Sequence, residues 1–140
     1  MTSMPDAAGD SLDLLAKAAG LPAVVTAVCH PCDQLSLAAA VAAHHAGLIE
    51  PLLVGPERKI RQVAAAGEID LAGLVLIDVP HSHAAAEQAV SLARQAKAAA
   101  IMKGSLHTDE LLAAVVSRDT GLRTERRISH VFVMRVSRYP

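Results

Sequence analysis

Apolar and polar positions along the chain predict strands and helices taking turns. After a polar, Gly-containing leader, Met1 to Asp10, the residues Leu12, Leu14, Leu15, Ala18 and Ala19 recur at helical spacing over Ser11 to Ala19, and Gly20 with Pro22 stops that helix. Ala23 to Cys29 is an apolar run rich in β-branched residues between two prolines, which predicts a buried strand. Asp33 then caps a helix whose apolar positions run from Leu35 to Ala46 and end at Gly47. The unit recurs: strand Ile49 to Val54, a helix opened by Pro56 and closed by Gly67, strand Leu74 to Val79, and an alanine-rich helix from Ser82 to Lys97. A fourth strand, Ala98 to Met102, leads to a helix over Asp109 to Ser117 capped by Thr108, and Ser129 to Val136 reads as a fifth strand.

Strands alternating with helices predict an α/β fold: three layers, α/β/α, around a mostly parallel sheet. The expected organisation is a leader and first helix over 1–22, an α/β domain over 23–128, and over 129–140 the opening strand of a second domain that is missing. The chain stops four residues after that strand with no covering helix, so a longer polypeptide is expected. In such sheets ligands bind outside the carboxyl ends of the strands. These ends are 30–33, 55–57, 80–83, 103–108 and the stretch from Arg135 to Pro140.

Composition narrows the function. With 140 residues, 52% hydrophobic, the chain is sized for one core. Phe132 and Tyr139 are its only aromatic residues and Ala stands at 28 positions, so the core closes through small side chains and a base-stacking nucleic-acid module is excluded. No apolar run reaches the roughly 20 residues needed to span a bilayer and no signal peptide opens the chain, so a cytoplasmic protein without membrane contact is expected. Residues 118–140 hold six Arg against Asp119 and Glu125, a balance of +4 that leaves −5 for the remainder. An anionic ligand and a plain solvated edge both fit that asymmetry.

The most informative chemistry lies in MKGSLHTDEL. A buried strand delivers a Gly-containing loop with Lys103, Gly104, Ser105, His107 and Thr108, and a helix starts at once. Backbone amides at a helix start, an ammonium and two hydroxyls suit a phosphate, although the Walker spacing is absent and an ordinary strand-to-helix loop has the same look. Cys29-His30-Pro31-Cys32 has C-x-x-C spacing between strand and helix, but Cys29 belongs to the apolar run, and the expectation is two reduced thiols with no redox role. His81, His83, His44 and His45 show no metal-ligand spacing and read as surface or capping residues; no metal is expected. Neither G-x-S-x-G nor G-x-G-x-x-G is present.

The stretch from Met102 to Met134 resembles the phosphate acetyl/butyryltransferase family, most closely its butyryltransferase-type branch. Lys103-Gly104, the Thr108-Asp109 helix start, Gly121-Leu122-Arg123 and Ser129-His130-Val131 carry the resemblance, which extends over about 23–138. It implies a fold like the first domain of isocitrate and isopropylmalate dehydrogenases, with a cleft facing a second domain. The implied reaction interconverts acyl-CoA plus phosphate with acyl phosphate plus CoA. Family members are about twice this length, so the chain alone is expected to be inactive. Coenzyme A and phosphate would be substrates, no cofactor would be permanently bound, and a homodimer or larger homo-oligomer is expected. Lys103, Gly104, Ser105, His107, Thr108, Arg123, Ser129 and His130 would bind phosphate or substrate; Arg126 and Arg127 would meet the phosphates of CoA. No general base is assigned. In the acetyltransferase branch an Arg follows the Asp-x-Leu of this helix, whereas here Leu112 follows Asp109-Glu110-Leu111, so that contact is not carried over. Judged on its residues alone, the chain also fits a non-catalytic α/β module that binds an acyl-CoA or anionic metabolite, or an assembly half-domain.

Overall fold

The computed structural model describes residues 13–134; the leader and the stretch from Arg135 to Pro140 lie outside them. Nine elements follow in order: α1 (Leu14–Ala18), β1 (Val24–Cys29), α2 (Gln34–His45), β2 (Ile49–Gly55), α3 (Glu57–Ala66), β3 (Val75–Asp78), α4 (Ser82–Arg94), β4 (Ala100–Lys103) and α5 (Thr108–Val115). The four strands form one parallel sheet in the order β3-β2-β1-β4. The α/β expectation therefore holds.

Alternation along the inner strands sorts the core into two layers. Ala27, Cys29 and Val54 pack with Ala85, Ala86, Ala89 and Leu92 of α4 and Leu111 of α5. Val28 and Leu53 point the other way, onto Leu37, Ala40 and Val41 of α2 and Ile60 and Ala64 of α3. Helices thus cover both faces, as buried parallel strands require.

Helix ends account for most departures from the expected boundaries. At the end of α2, Gly47 adopts φ +73°, with Leu48 N donating to Ala43 O and Gly47 N to His44 O, a Schellman closure. The same pattern closes α3 through Glu68 (φ +52°) and α4 through Ala96 (φ +56°). Neither residue signals a left-handed turn, so α4 stops at Arg94 rather than Lys97. One further expectation is corrected. Thr108 is the first residue of α5 rather than its cap; His107 holds the cap position and makes no side-chain capping bond. Residues 129–134, expected to belong to the opening strand of a second domain, do not pair with this sheet, and Val131, Phe132, Val133 and Met134 are each about 70% exposed; residues 135 and 136 of that strand lie outside the described residues. A strand needs a hydrogen-bonding neighbour, and neither edge of the sheet, β3 or β4, takes this segment up.

Candidate functional site

Strand order places the site. From β1 the chain moves through β2 to β3 on one side, then returns to lay β4 on the other side of β1. The crevice between the carboxyl ends of β1 and β4 is therefore the topological switch point, where open α/β sheets bind ligands. Two loops meet there: His30 to Asp33 after β1 and Gly104 to His107 after β4.

The loops are stitched together by backbone. Gly104 N donates to Cys29 O (2.8 Å) and Ser105 N to His30 O (2.8 Å). The Ser105 hydroxyl donates to His30 O (2.9 Å) and accepts from Cys32 N (3.1 Å). His30, in the left-handed region at φ +56°, brings Nδ1 to 3.2 Å from Ser105 Oγ and 3.3 Å from Ser105 O. A side chain at position 104 would strike the Cys29 and His30 carbonyls, so only glycine permits this approach.

That stitching reassigns roles. The Gly104 and Ser105 amides, expected as phosphate donors, are committed to carbonyls of the β1 loop. The donors left for a ligand are those of the α5 start, where Thr108, Asp109 and Glu110 N–H groups have no intrahelical acceptor and no side chain caps them. Lys103 is exposed at the end of β4, its Nζ 3.4 Å from Gly104 O. Charge at this helix start is mixed: Asp109 and Glu110 occupy its first turn, and Glu110 accepts a 2.7 Å bond from Ser82 Oγ of α4. Lys103 favours an anion there and the two carboxylates oppose one.

Burial sets the titration of the loop residues. The Cys29 thiol is pushed up to about 12, mainly by burial, with Glu110 and Cys32 adding to it and Lys103 opposing. Burial also raises Cys32, while Asp33 is held below the usual carboxylate range by the bonds it accepts from the Ser36 hydroxyl and amide. Both cysteines are free and buried. This is the reverse of a redox pair, whose nucleophile needs a stabilised thiolate. Native protein at pH 8 should label with a thiol reagent far more slowly than denatured protein. Rapid native labelling, or insulin reduction that disappears in Cys32→Ser, would contradict this.

His30 is shifted below its ordinary 6.5, by burial first and then Lys59, with the Ser105 contact, Glu110 and Asp33 pulling the other way. The unfolded chain therefore binds this proton at a higher pH than the folded one. Stability from His30 is fully present above pH 6.5 and is lost as pH falls through the folded value. Urea midpoints from pH 7.5 to 5 should decline, less steeply in His30→Asn; equal slopes would count against the assignment.

The remaining expected site residues lie elsewhere. Helices α4 and α5 start together, joined by Ser82 and Glu110, and end together, where Arg94 Nη1 donates to Asp119 O (2.6 Å) and Gly121 O (3.3 Å). The turn over 117–122 is thus one α5 length, about 12 Å, from the Lys103 loop. Arg123, Arg126, Arg127, Ser129 and His130 follow that turn on an exposed segment. Arg123, Arg126 and Arg127 line a groove of about 640 Å³ with Val115 and Ile128, and the His130 ring lies 4.2 Å from that of Phe132. No hydrogen bond or ion pair among the described residues joins these five to Lys103 or Ser105. His81 caps α4, its Nδ1 accepting from Ala84 N, and His83 lies 3.1 Å from Glu87. No group of three or more His, Cys, Asp or Glu among the described residues could hold a metal ion.

The sequence placed 30–33 among the ligand-facing strand ends but gave His30 no role of its own. Its signal is that of a polar residue ending a buried strand between two cysteines whose spacing resembles a redox motif.

The strand order and the two joined loops define a doubly wound α/β domain whose switch point lies between β1 and β4. No family model matches the chain. Its sequence is 53% identical over 135 residues to a phosphate acetyltransferase of Rickettsia felis, covering 96% of this chain and 39% of that protein. It is 56% identical over 123 residues to a phosphate acetyltransferase of Rhizobium meliloti, covering 88% and 39%. A phosphate butyryltransferase of Clostridium beijerinckii is 30% identical over 124 residues, covering 89% and 41%. The chain is thus related to the phosphate acetyl/butyryltransferase family along most of its own length, and it spans about two fifths of the length of the curated relatives it matches. The acetyltransferases match better than the butyryltransferase, which shifts the balance away from the branch that the motifs suggested.

Proposed function

We propose that the chain is the N-terminal portion of a phosphate acyltransferase that moves a short acyl group between CoA and phosphate. The observation that carries this reading is the identity of 53–56% to phosphate acetyltransferases, combined with a switch-point crevice that gathers Lys103, Ser105 and His30. In this reading Lys103 and the free amides of the α5 start hold phosphate and, with His107 and Thr108, border the crevice. Gly104 and Ser105 serve by locking the two loops. Arg123, Arg126, Arg127, Ser129 and His130 form a separate cationic patch, suited to the phosphates of CoA. CoA and phosphate act as substrates, and no permanently bound cofactor is invoked.

The two reduced, buried cysteines support a cytoplasmic setting, and no helix among the described residues is long and apolar enough to cross a membrane. The exposed Val131, Phe132 and Val133 support a homo-oligomer, which light scattering would detect. Acyl transfer between two bound substrates depends on orienting them, an effect of roughly 7–11 kcal/mol in well-ordered systems. A chain with two fifths of its relatives' length is expected to bind without turnover.

Titrating phosphate against the amide resonances tests this. Shifts should begin at Thr108, Asp109 and Glu110, and Lys103→Ala should weaken them several-fold. Unchanged resonances at high phosphate would overturn the binding claim, and acyl phosphate synthesis by the 140-residue chain would overturn the claim of inactivity.

A further inference from the structure

His30 is only 8% exposed, and no hydrogen bond among the described residues reaches its Nε2. The hydrogen-bond pattern identifies which nitrogen carries the proton. Nδ1 lies 3.3 Å from the Ser105 carbonyl, which can only accept, and 3.2 Å from the Ser105 hydroxyl, which accepts from the ring when its own proton goes to His30 O. Both neighbours of Nδ1 are acceptors, so Nδ1 is the protonated nitrogen and the neutral ring leaves Nε2 as a bare acceptor. No group of the described residues bonds Nε2. Every fully buried side-chain nitrogen and oxygen among the described residues has a partner, so Nε2 must be reached by solvent. Nε2 shares its ring with Nδ1, which lies beside Ser105, so solvent reaches it at the carboxyl end of β1, the end of the sheet where the switch point falls. The backbone at φ +56° is a costly conformation for a histidine, and the lock onto Ser105 maintains it.

We propose that His30 is a substrate-contacting residue of this crevice, whose unprotonated Nε2 accepts a hydrogen bond from the thiol of coenzyme A while Ser105 fixes the ring. The identity of the thiol rests on the acyltransferase reading; the aimed acceptor rests on the geometry alone. An acceptor lone pair repels phosphate oxygens and must meet a donor. Of the two reactants, CoA brings an S–H at the reacting atom. Phosphate brings only the single hydroxyl of its monohydrogen form, and Lys103 and the α5 amides suit its oxygens better.

Long-range proton–nitrogen correlation spectra of the histidine rings test this on the 140-residue chain. The free protein should show His30 in the Nδ1–H form; an Nε2–H ring overturns the proposal. Adding CoA should shift His30 Nε2, and desulfo-CoA or inorganic phosphate should leave it in place. His30→Asn, with a side chain that tolerates the left-handed backbone, should weaken CoA binding by about fivefold, the scale of one hydrogen bond, and leave desulfo-CoA binding unchanged. An unmoved Gly104 amide in that variant shows that the loops stay locked. Equal loss for both ligands, or a His30 shift driven by phosphate, overturns the thiol contact. CoA shifts confined to other residues overturn this inference and leave the acyltransferase reading standing. An absence of any CoA shift overturns both.

Discussion

Replacing Gly104 with alanine is expected to cost about 3–5 kcal/mol, a large share of the roughly 5–15 kcal/mol that holds a domain of this kind together. The added Cβ would stand 2.5 Å from the Cys29 oxygen and closer still to that of His30. Both are backbone atoms of a buried strand end, and neither can rotate aside. The β4 loop must retreat from β1 instead, stretching the 2.8 Å bonds from the Gly104 and Ser105 amides and freeing the Ser105 hydroxyl from Cys32 N. Each such bond contributes about 0.5–1.5 kcal/mol, and each buried group left unpaired costs about 1–3. Gly20→Ala is the control: nothing lies within 4 Å of its added Cβ, so it should stay within about 0.5 kcal/mol of the parent. Urea denaturation of the two variants provides the measurement, and a Gly104→Ala loss below about 1 kcal/mol would show that the loops are not rigidly joined.

That joint shows where sequence reading stops. The sheet was legible because the carboxyl halves of β1 and β2, Ala27 to Cys29 and Leu52 to Val54, are apolar runs packed between the helix layers, with Asp33, Pro56 and Gly67 marking helix ends. The Lys103 loop was legible because a glycine between a buried strand and a helix start is a recognisable pattern. Its partner was not. His30 and Ser105 are 75 residues apart, and only the crossover that lays β4 beside β1 brings them together. Val131 to Met134 has strand composition, yet pairing depends on a neighbour that composition does not specify. Likewise Ala96 terminates α4 in a left-handed conformation that costs an alanine about 1 kcal/mol or more, so no propensity rule would have placed the end there.

The two faces of the sheet should respond in opposite ways to a change of side-chain volume. On the α2 and α3 face, Leu53 is fully buried at the centre of β2, in register with Val28 of β1 and Leu76 of β3. Leu53→Ala removes three carbons from a site walled by Leu37, Val41 and Ile60 and should cost about 2–5 kcal/mol, the spread reflecting how far those neighbours collapse. On the opposite face Ala85, Ala86 and Ala89 of α4 are all fully buried, so this layer is closed by methyl groups and α4 lies close on the strands. Here addition does the harm. Ala89→Leu must push α4 off the sheet or strain its own rotamer, a penalty of about 1–3 kcal/mol that outweighs the extra apolar area. The groove of about 780 Å³ beside α4 does not relieve it, because that space is lined by Ala84, Gln88 and Ser91 and not by Ala89. Lifting α4 would also loosen the Ser82 to Glu110 contact and so the start of α5, so Ala89→Leu should shift the amides of Thr108 to Glu110 as well as lower the melting temperature. Leu53→Ala should lower the melting temperature more and leave those amides nearer their parent positions. A gain in stability from Ala89→Leu would mean that the alanine layer encloses space, and the close approach of α4 to the sheet would have to be abandoned.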